Sequence, residues 1–199
     1  MMYHVVQKQM YHAVHEGTMP TVRSGGSAEQ LIDLCLAAFV ESGRLDLSLD
    51  QLSNRVGSSK RMLVHYFGGR EAIEEQAMTR LEQKLRAQFS SDNFPVGVSA
   101  KAVVIALWER TTSAETKGVL LLTMDLLRRA WNGSARAKLF YAEQQRLWVE
   151  LLTRYIHDQA KVEELLQLFQ GAVLAFLITG NREPGERALL RVLSRRKNR

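Results

Sequence analysis

Three prolines and one cysteine in 199 residues remove two classes of architecture before any motif is read. Scarce proline, beside abundant Leu, Ala, Gln, Glu and Arg, favours helix over sheet. The lone Cys35 excludes a disulfide framework within the chain and points to a reducing cytoplasm. No apolar run reaches the roughly 18 residues that cross a bilayer. The amino-terminal MMYHVVQKQMYHAVHEG is broken by polar residues and lacks the apolar centre of a secretion signal. A cytoplasmic location without a membrane partner is therefore expected. Internal repeats, low-complexity tracts and alternating strand patterns are absent too. So are a Gly-rich phosphate loop and a nucleophile–base arrangement, and neither enzyme chemistry nor a cofactor is expected. His4, His12 and His15 have no nearby cysteine or fixed scaffold, so no metal site is expected.

What is present begins with apolar content. At 46% hydrophobic the chain can bury a core sized for one domain or two small ones. Its formal net charge of +6 suggests an anionic partner, but the distribution weakens the suggestion. Residues 182–199 carry seven Arg and Lys against Glu183 and Glu186, a net +5, which leaves only +1 for the other residues. The basic end reads as a solvated helix end. A claim about nucleic acid has to come from local pattern.

Residues 1–26 lack a sustained period and end in Arg23-Ser24-Gly25-Gly26, which reads as a disordered extension. Ser27 with Gln30 forms a capping box opening a first helix, whose Leu31, Leu34, Cys35, Ala38 and Phe39 share one buried face. Gly43 is a left-handed stop. A second capping box, Ser48 with Gln51, opens a short helix burying Leu49, Leu52 and Val56. Gly57 permits a tight turn, Ser58 or Ser59 caps a third helix, and Leu63 and Phe67 fall on its inner side. A long helix then starts near Arg70 and buries Ile73, Ala77, Leu81 and Leu85. Asp92–Gly97 is a break. Further helices are expected near 99–112, 116–130, 134–158, 162–179 and 186–196, with joints at Gly133-Ser134 and from Gly180 to Gly185.

Helix, glycine turn, helix over residues 48–71 is the plan of a helix-turn-helix, whose second helix enters the major groove of DNA. Burying Leu63 and Phe67 leaves Lys60, Arg61, Val64 and His65 outward. Lys60 and Arg61 bring cations to the leading end of that helix, where free amides also favour phosphate. Arg61 can pair with a guanine edge and Val64 can pack on a thymine methyl. His65, Tyr66 and Arg70 can hold flanking phosphates. The competing reading is a surface helix whose cations are merely solvated.

SLDQLSNRVGSSKRMLVHYFGGREAI resembles the DNA-binding segment of the tetracycline-repressor (TetR) family of bacterial transcription regulators, and AEQLIDLCLAAFVESG resembles that family's first helix. The resemblance covers residues 28–78, through VGSSK, Leu63, His65-Tyr66-Phe67 and Arg70-Glu71. It implies phosphate contacts from Ser48, Ser59, Tyr66 and Arg70, and base or mixed contacts from Lys60, Arg61, Val64 and His65. Two positions depart from the family pattern: Arg61 stands where a small residue is usual, and Val64 where tyrosine is common. Gly68-Gly69 replaces a proline-serine type of stop.

The fold expected is all-α, with an extension over 1–26, a three-helix helix-turn-helix domain over 27–72 and a helical bundle over 73–199 for effector binding and dimerisation. The resemblance implies a homodimeric repressor of palindromic operators in double-stranded DNA, released by an unknown small-molecule effector. Leu165, Phe169, Val173, Phe176, Leu189 and Leu193 are the expected dimer interface, packed as four helices. Trp108, Met124, Trp131, Phe140, Trp148 and Phe169 are candidates to line an effector pocket, against the plainer reading of core packing. Rival readings are a helical interaction module, a cytoplasmic helical enzyme without DNA binding, and a DNA-binding protein that answers to no effector.

Overall fold

The computed structural model describes residues 27–88 and 97–195; the extension at 1–26, most of the break at 92–97 and the last four residues lie outside them. The described residues are all-α and contain nine α-helices and no strand. They are α1 Ala28–Ser42, α2 Leu49–Val56, α3 Lys60–Phe67, α4 Arg70–Gln88, α5 Ala100–Thr111, α6 Lys117–Trp131, α7 Ala135–Thr153, α8 Gln159–Thr179 and α9 Glu183–Ser194. Contacts divide the chain into two compact units. The first holds the described residues up to Gln83 together with Leu121–Asp125, and the second holds Lys84–Leu120 and the residues from Leu126 onward.

In the first unit the helix starts are set by side chains. At α1, Gln30 N–H donates to Ser27 Oγ at 3.3 Å while Ser27 N–H donates to Gln30 Oε1 at 3.1 Å. At α2 the same reciprocal pair joins Ser48 and Gln51 at 3.2 and 2.9 Å. Each such cap is worth about 1 kcal/mol. The α1 core face is wider than its apolar period suggests: Ile32 and Leu36 are buried, whereas Leu34 is half-buried. Leu49 of α2 is likewise only half-buried. Arg80 of α4 grips Asp33 of α1 through two bonds of 3.0 and 2.7 Å, and Arg55 of α2 reaches Glu41 of α1 at 3.0 Å. The Leu45 N–H donates to the Asp125 carboxylate at 3.1 Å, bringing part of α6 into this unit. Cys35 is buried, and burial pushes its thiol up to about 12.

The second unit is built on α5, α7, α8 and α9, with α8 packed on both α7 and α9, and α9 on α5. Its centre is Trp108, edge-on to Phe169 with ring centroids 5.6 Å apart. Helix α9 starts earlier than 186, because Pro184 sits in its first turn, where a missing N–H costs nothing. Gly185 is thus a helix residue rather than part of the joint. A Cβ there would lie 2.6 Å from Trp108 Cζ2, so glycine is what lets α9 close onto the tryptophan. Helix α7 ends at Thr153 rather than 158, and Asp158 caps α8 by accepting from Lys161 N–H at 3.4 Å, which moves the start of α8 forward to 159.

Helix α8 corrects the expectation about long apolar segments. Over its 21 residues an 18-residue window reaches a mean hydropathy of 1.4, enough by length and composition to cross a membrane, and 28% of that window is buried. One face supplies Leu165, Phe169 and Val173 to the core, while Leu174 and Ile178 face outward at 51% and 77% exposure. Two apolar faces on one helix make the average high.

Candidate nucleic-acid interface

The turn between α2 and α3 is fastened from three directions. Gly57 takes the left-handed φ of +65° and its N–H donates to Ser53 O. The Ser58 N–H reaches the same carbonyl at 3.2 Å, and the Ser53 hydroxyl donates back to Ser58 O at 2.6 Å. Ser59, rather than Ser58, caps α3 by accepting from Met62 N–H at 3.2 Å. Gly68 stops the helix at φ +86°. Inside, Leu63 and Phe67 are buried with Leu52 and Val56. A helix of eight residues is thereby held by both ends and its inner face.

Its outer face carries what the spacing suggests. Lys60, Arg61 and His65 are exposed, with Val64 at 42% and Tyr66 at 38%. The His65 and Tyr66 rings meet edge-on at 5.5 Å. Met62, one turn before Tyr66, is also exposed and was not among the sequence candidates; the i, i+4 spacing from Tyr66 was its only signal. Ser48 and Ser59 lie exposed at the starts of α2 and α3 with their oxygens already serving as caps, which leaves each hydroxyl its donor.

The electrostatics are less one-sided than the sequence of α3 suggests. Asp50, in the first turn of α2, holds Lys60 Nζ at 2.7 Å. Arg70 is occupied by Glu71 at 3.0 Å and Glu74 at 3.1 Å. The Glu71 carboxyl is lowered below its ordinary range by its own backbone N–H and then by Arg70. Arg61 has no such acid. Among the described residues it is the cation at the front of α3 that no acid pairs.

The residues expected to line an effector pocket do not converge. Trp148 and Phe169, 5.1 Å apart, line a cavity with Val104, Leu107, Leu152 and Leu189, and its volume is only about 10 Å³. Trp108 packs behind Phe169 as core. Phe140 is buried away from that lining, Met124 belongs to the first unit, and Trp131 stands 90% exposed at the end of α6. Bulk and aromaticity marked all six, but these properties do not say which way a helix turns.

The expected dimer residues are also mostly interior. Leu165, Phe169, Val173 and Leu189 belong to the protomer's own core, and Phe176 and Leu193 pack half-buried against it. What α8 offers outward is Leu174, Ala175 and Ile178. No cluster of three or more metal-ligating side chains occurs among the described residues, and His4, His12 and His15 lie outside them.

Comparisons with known proteins agree with this geometry. The chain superposes on a crystal structure of a Rhodococcus sp. protein assigned to the TetR family of transcriptional regulators with a TM-score of 0.64, covering 83% of this chain and 96% of that one at 16% identity. The fold is that of the TetR family. In sequence, the chain is 26% identical over 89 residues to the HTH-type transcriptional regulator SrpR of Pseudomonas putida, across 45% of this chain and 41% of that protein. It is 37% identical over 73 residues to the HTH-type transcriptional regulator BetI of Serratia proteamaculans, across 34% of this chain and 37% of that one. The chain thus spans about two fifths of the length of these relatives. No protein-family model matches. Within the TetR-family fold, α2 and α3 are the helix-turn-helix.

Proposed function

We propose that this chain is a DNA-binding transcription regulator, a homodimeric repressor of a palindromic operator, acting in the cytoplasm and released by a small-molecule effector. The observation that carries the reading is α3 itself. It is capped at Ser59, stopped at Gly68, anchored by Leu63 and Phe67, and presents an exposed Arg61, unpaired among the described residues, beside exposed Val64 and His65. A rigid helix with a free guanidinium and an apolar neighbour has the chemistry to read a guanine edge and a thymine methyl. Ser48, Ser59, Tyr66 and Arg70 flank it as phosphate contacts, which place the probe without reading sequence, and Lys60 is a base or mixed contact at its leading end. The regulators named above support the class; the catalytic alternative has no comparable constellation behind it.

A second copy docks, in this reading, on the outward face of α8. Leu174, Ala175 and Ile178 replace the buried residues in the role of interface. Effector binding would turn α4, which starts two residues after Gly68 and runs unbroken to Gln88. That turn carries the two probes out of register with adjacent grooves, provided the ligand binds the two states unequally.

Selection of bound sites from random duplex DNA tests the reading. The expected product is a palindrome with half-sites about 34–36 Å apart. Binding without sequence preference that vanishes in modest salt would overturn it.

A further inference from the structure

Among the described residues, three buried side-chain nitrogens have no hydrogen-bond partner: Trp108 Nε1, Arg110 Nη2 and Gln144 Nε2. All three are donors, and all three lie in the second unit. A buried donor without a partner costs more than an average hydrogen bond returns, and a buried cation costs more still. Burial is what lowers the Arg110 guanidinium from its ordinary value, with no carboxylate beside it to raise it again.

The placement of the three is related. Arg110 follows Leu107 by three residues on α5, and Gln144 precedes Trp148 by four on α7, so each lies one helical turn from a residue lining the same apolar cavity. Trp108 adjoins Leu107 in sequence and meets Phe169, another lining residue, edge-on at 5.6 Å. The donors thus stand on α5 and α7, the two helices that also give Val104, Leu107, Trp148 and Leu152 to the lining, while α8 and α9 complete it. At about 10 Å³ the cavity has room for little more than one water, so a larger guest enters only when the lining side chains part.

We propose that the second unit binds a small amphipathic carboxylate, with its apolar body between Leu107, Trp148 and Phe169 and its carboxylate on Arg110, assisted by Gln144. A guanidinium matches a carboxylate with two parallel bonds, which neither water nor a neutral hydroxyl can supply. The inference rests on the effector-controlled regulator reading and names the chemical class of that effector.

The test uses the full chain carrying Trp131→Phe, so that fluorescence reports only Trp108 and Trp148 of its three tryptophans. Phenylbutyrate and decanoate are titrated beside phenylbutanol and decanol, and operator binding without ligand is read in the same samples. The carboxylates should bind about ten- to a hundredfold tighter than the matching alcohols, as a charged hydrogen-bonded pair allows. Arg110→Met should erase that preference, keep operator binding, and raise the melting temperature by removing a half-buried guanidinium whose Nη2 has no partner. Gln144→Leu should weaken carboxylate binding by a smaller factor. The proposal is overturned if neither carboxylate binds, if alcohols bind as tightly as acids, or if Arg110→Met leaves carboxylate affinity intact. It is overturned as well if Arg110→Met melts lower, since Arg110 would then hold the fold. Failure of these outcomes with operator binding intact removes this inference alone; absence of operator binding in the wild-type chain removes the regulator reading.

Discussion

The two units treat their polar groups differently. In the first, Ser27, Ser48 and Ser59 cap the starts of α1, α2 and α3, and Asp33–Arg80, Glu41–Arg55 and Glu74–Arg70 pair charge with charge. Among its described residues no buried side-chain donor is left without a partner. The second unit leaves three such donors inside. A region whose local preferences all agree has one shape, which suits an element that must fit a fixed groove. A region that keeps an unsatisfied donor set gives up stability in exchange for chemistry that a ligand can complete. In the proposed reading, the contrast is that between a DNA probe and an effector receptor.

The largest effect that tests the contrast is expected from Leu63→Ala. Leu63 is fully buried beneath the probe, and deleting it should cost about 2–5 kcal/mol. If the first unit is the rigid one, the loss appears as cooperative unfolding in denaturant. The Cys35 thiol, slow to react while buried with its pKa near 12, should then become labelled in step with that transition. Labelling well before unfolding would show a first unit that opens locally, and the contrast would fail.

Next comes Arg61→Ala, expected to lower operator affinity by about 1–3 kcal/mol and to relax preference at one base position. Its melting temperature should be unchanged, because Arg61 is exposed and makes no ion pair among the described residues. A uniform loss over all sequences, measured by competition among variant operators, would make Arg61 a phosphate contact instead.

How legible each unit was in the sequence follows the same division. The first could be read because its signals are local: two S-x-x-Q boxes, Gly57 and the Leu63–Phe67 spacing each fix a short stretch without long-range contacts. What escaped there came from neighbours in space. Asp50 takes Lys60 across the turn, and Ser53 fastens the turn by bonding Ser58 O. In the second unit the helices were readable but their rotation was not. Trp131 and Trp148 look alike in sequence, yet one is exposed and the other lines a cavity, and Leu165 and Leu174 differ in the same way. Gly185 reads as a loop signal and is instead a packing site beneath Trp108. Each miss required knowing which helix lies opposite.

Gly185→Ala sharpens the comparison from the other side. The added methyl would sit 2.6 Å from Trp108, and overpacking of that kind costs about 1–3 kcal/mol, less what alanine returns in helix propensity. The expected result is a lower melting temperature for the second unit with ligand-free operator affinity per folded protein unchanged. Equal melting would mean that α9 moves away easily, and that the core around Trp108 is softer than its contacts suggest.

The smallest effect has the most diagnostic sign. Lys60 Nζ sits 2.7 Å from Asp50 Oδ1, both largely exposed, so the pair is worth about 0–1 kcal/mol to folding. Asp50 also places negative charge at the start of α2, which favours the helix by about 0.3–1 kcal/mol. Asp50→Asn should therefore lower stability slightly. Against DNA the same acid competes with phosphate for Lys60 and repels the backbone, so its neutralisation should tighten operator binding a few-fold and steepen the salt dependence. Stability and affinity would then move in opposite directions from one substitution, because an acid that settles the probe internally is an obstacle at the groove. Should affinity fall instead, measured by titration at several salt concentrations, Asp50 would be aligning Lys60 for its phosphate, and even the paired charges of the first unit would be part of the contact surface.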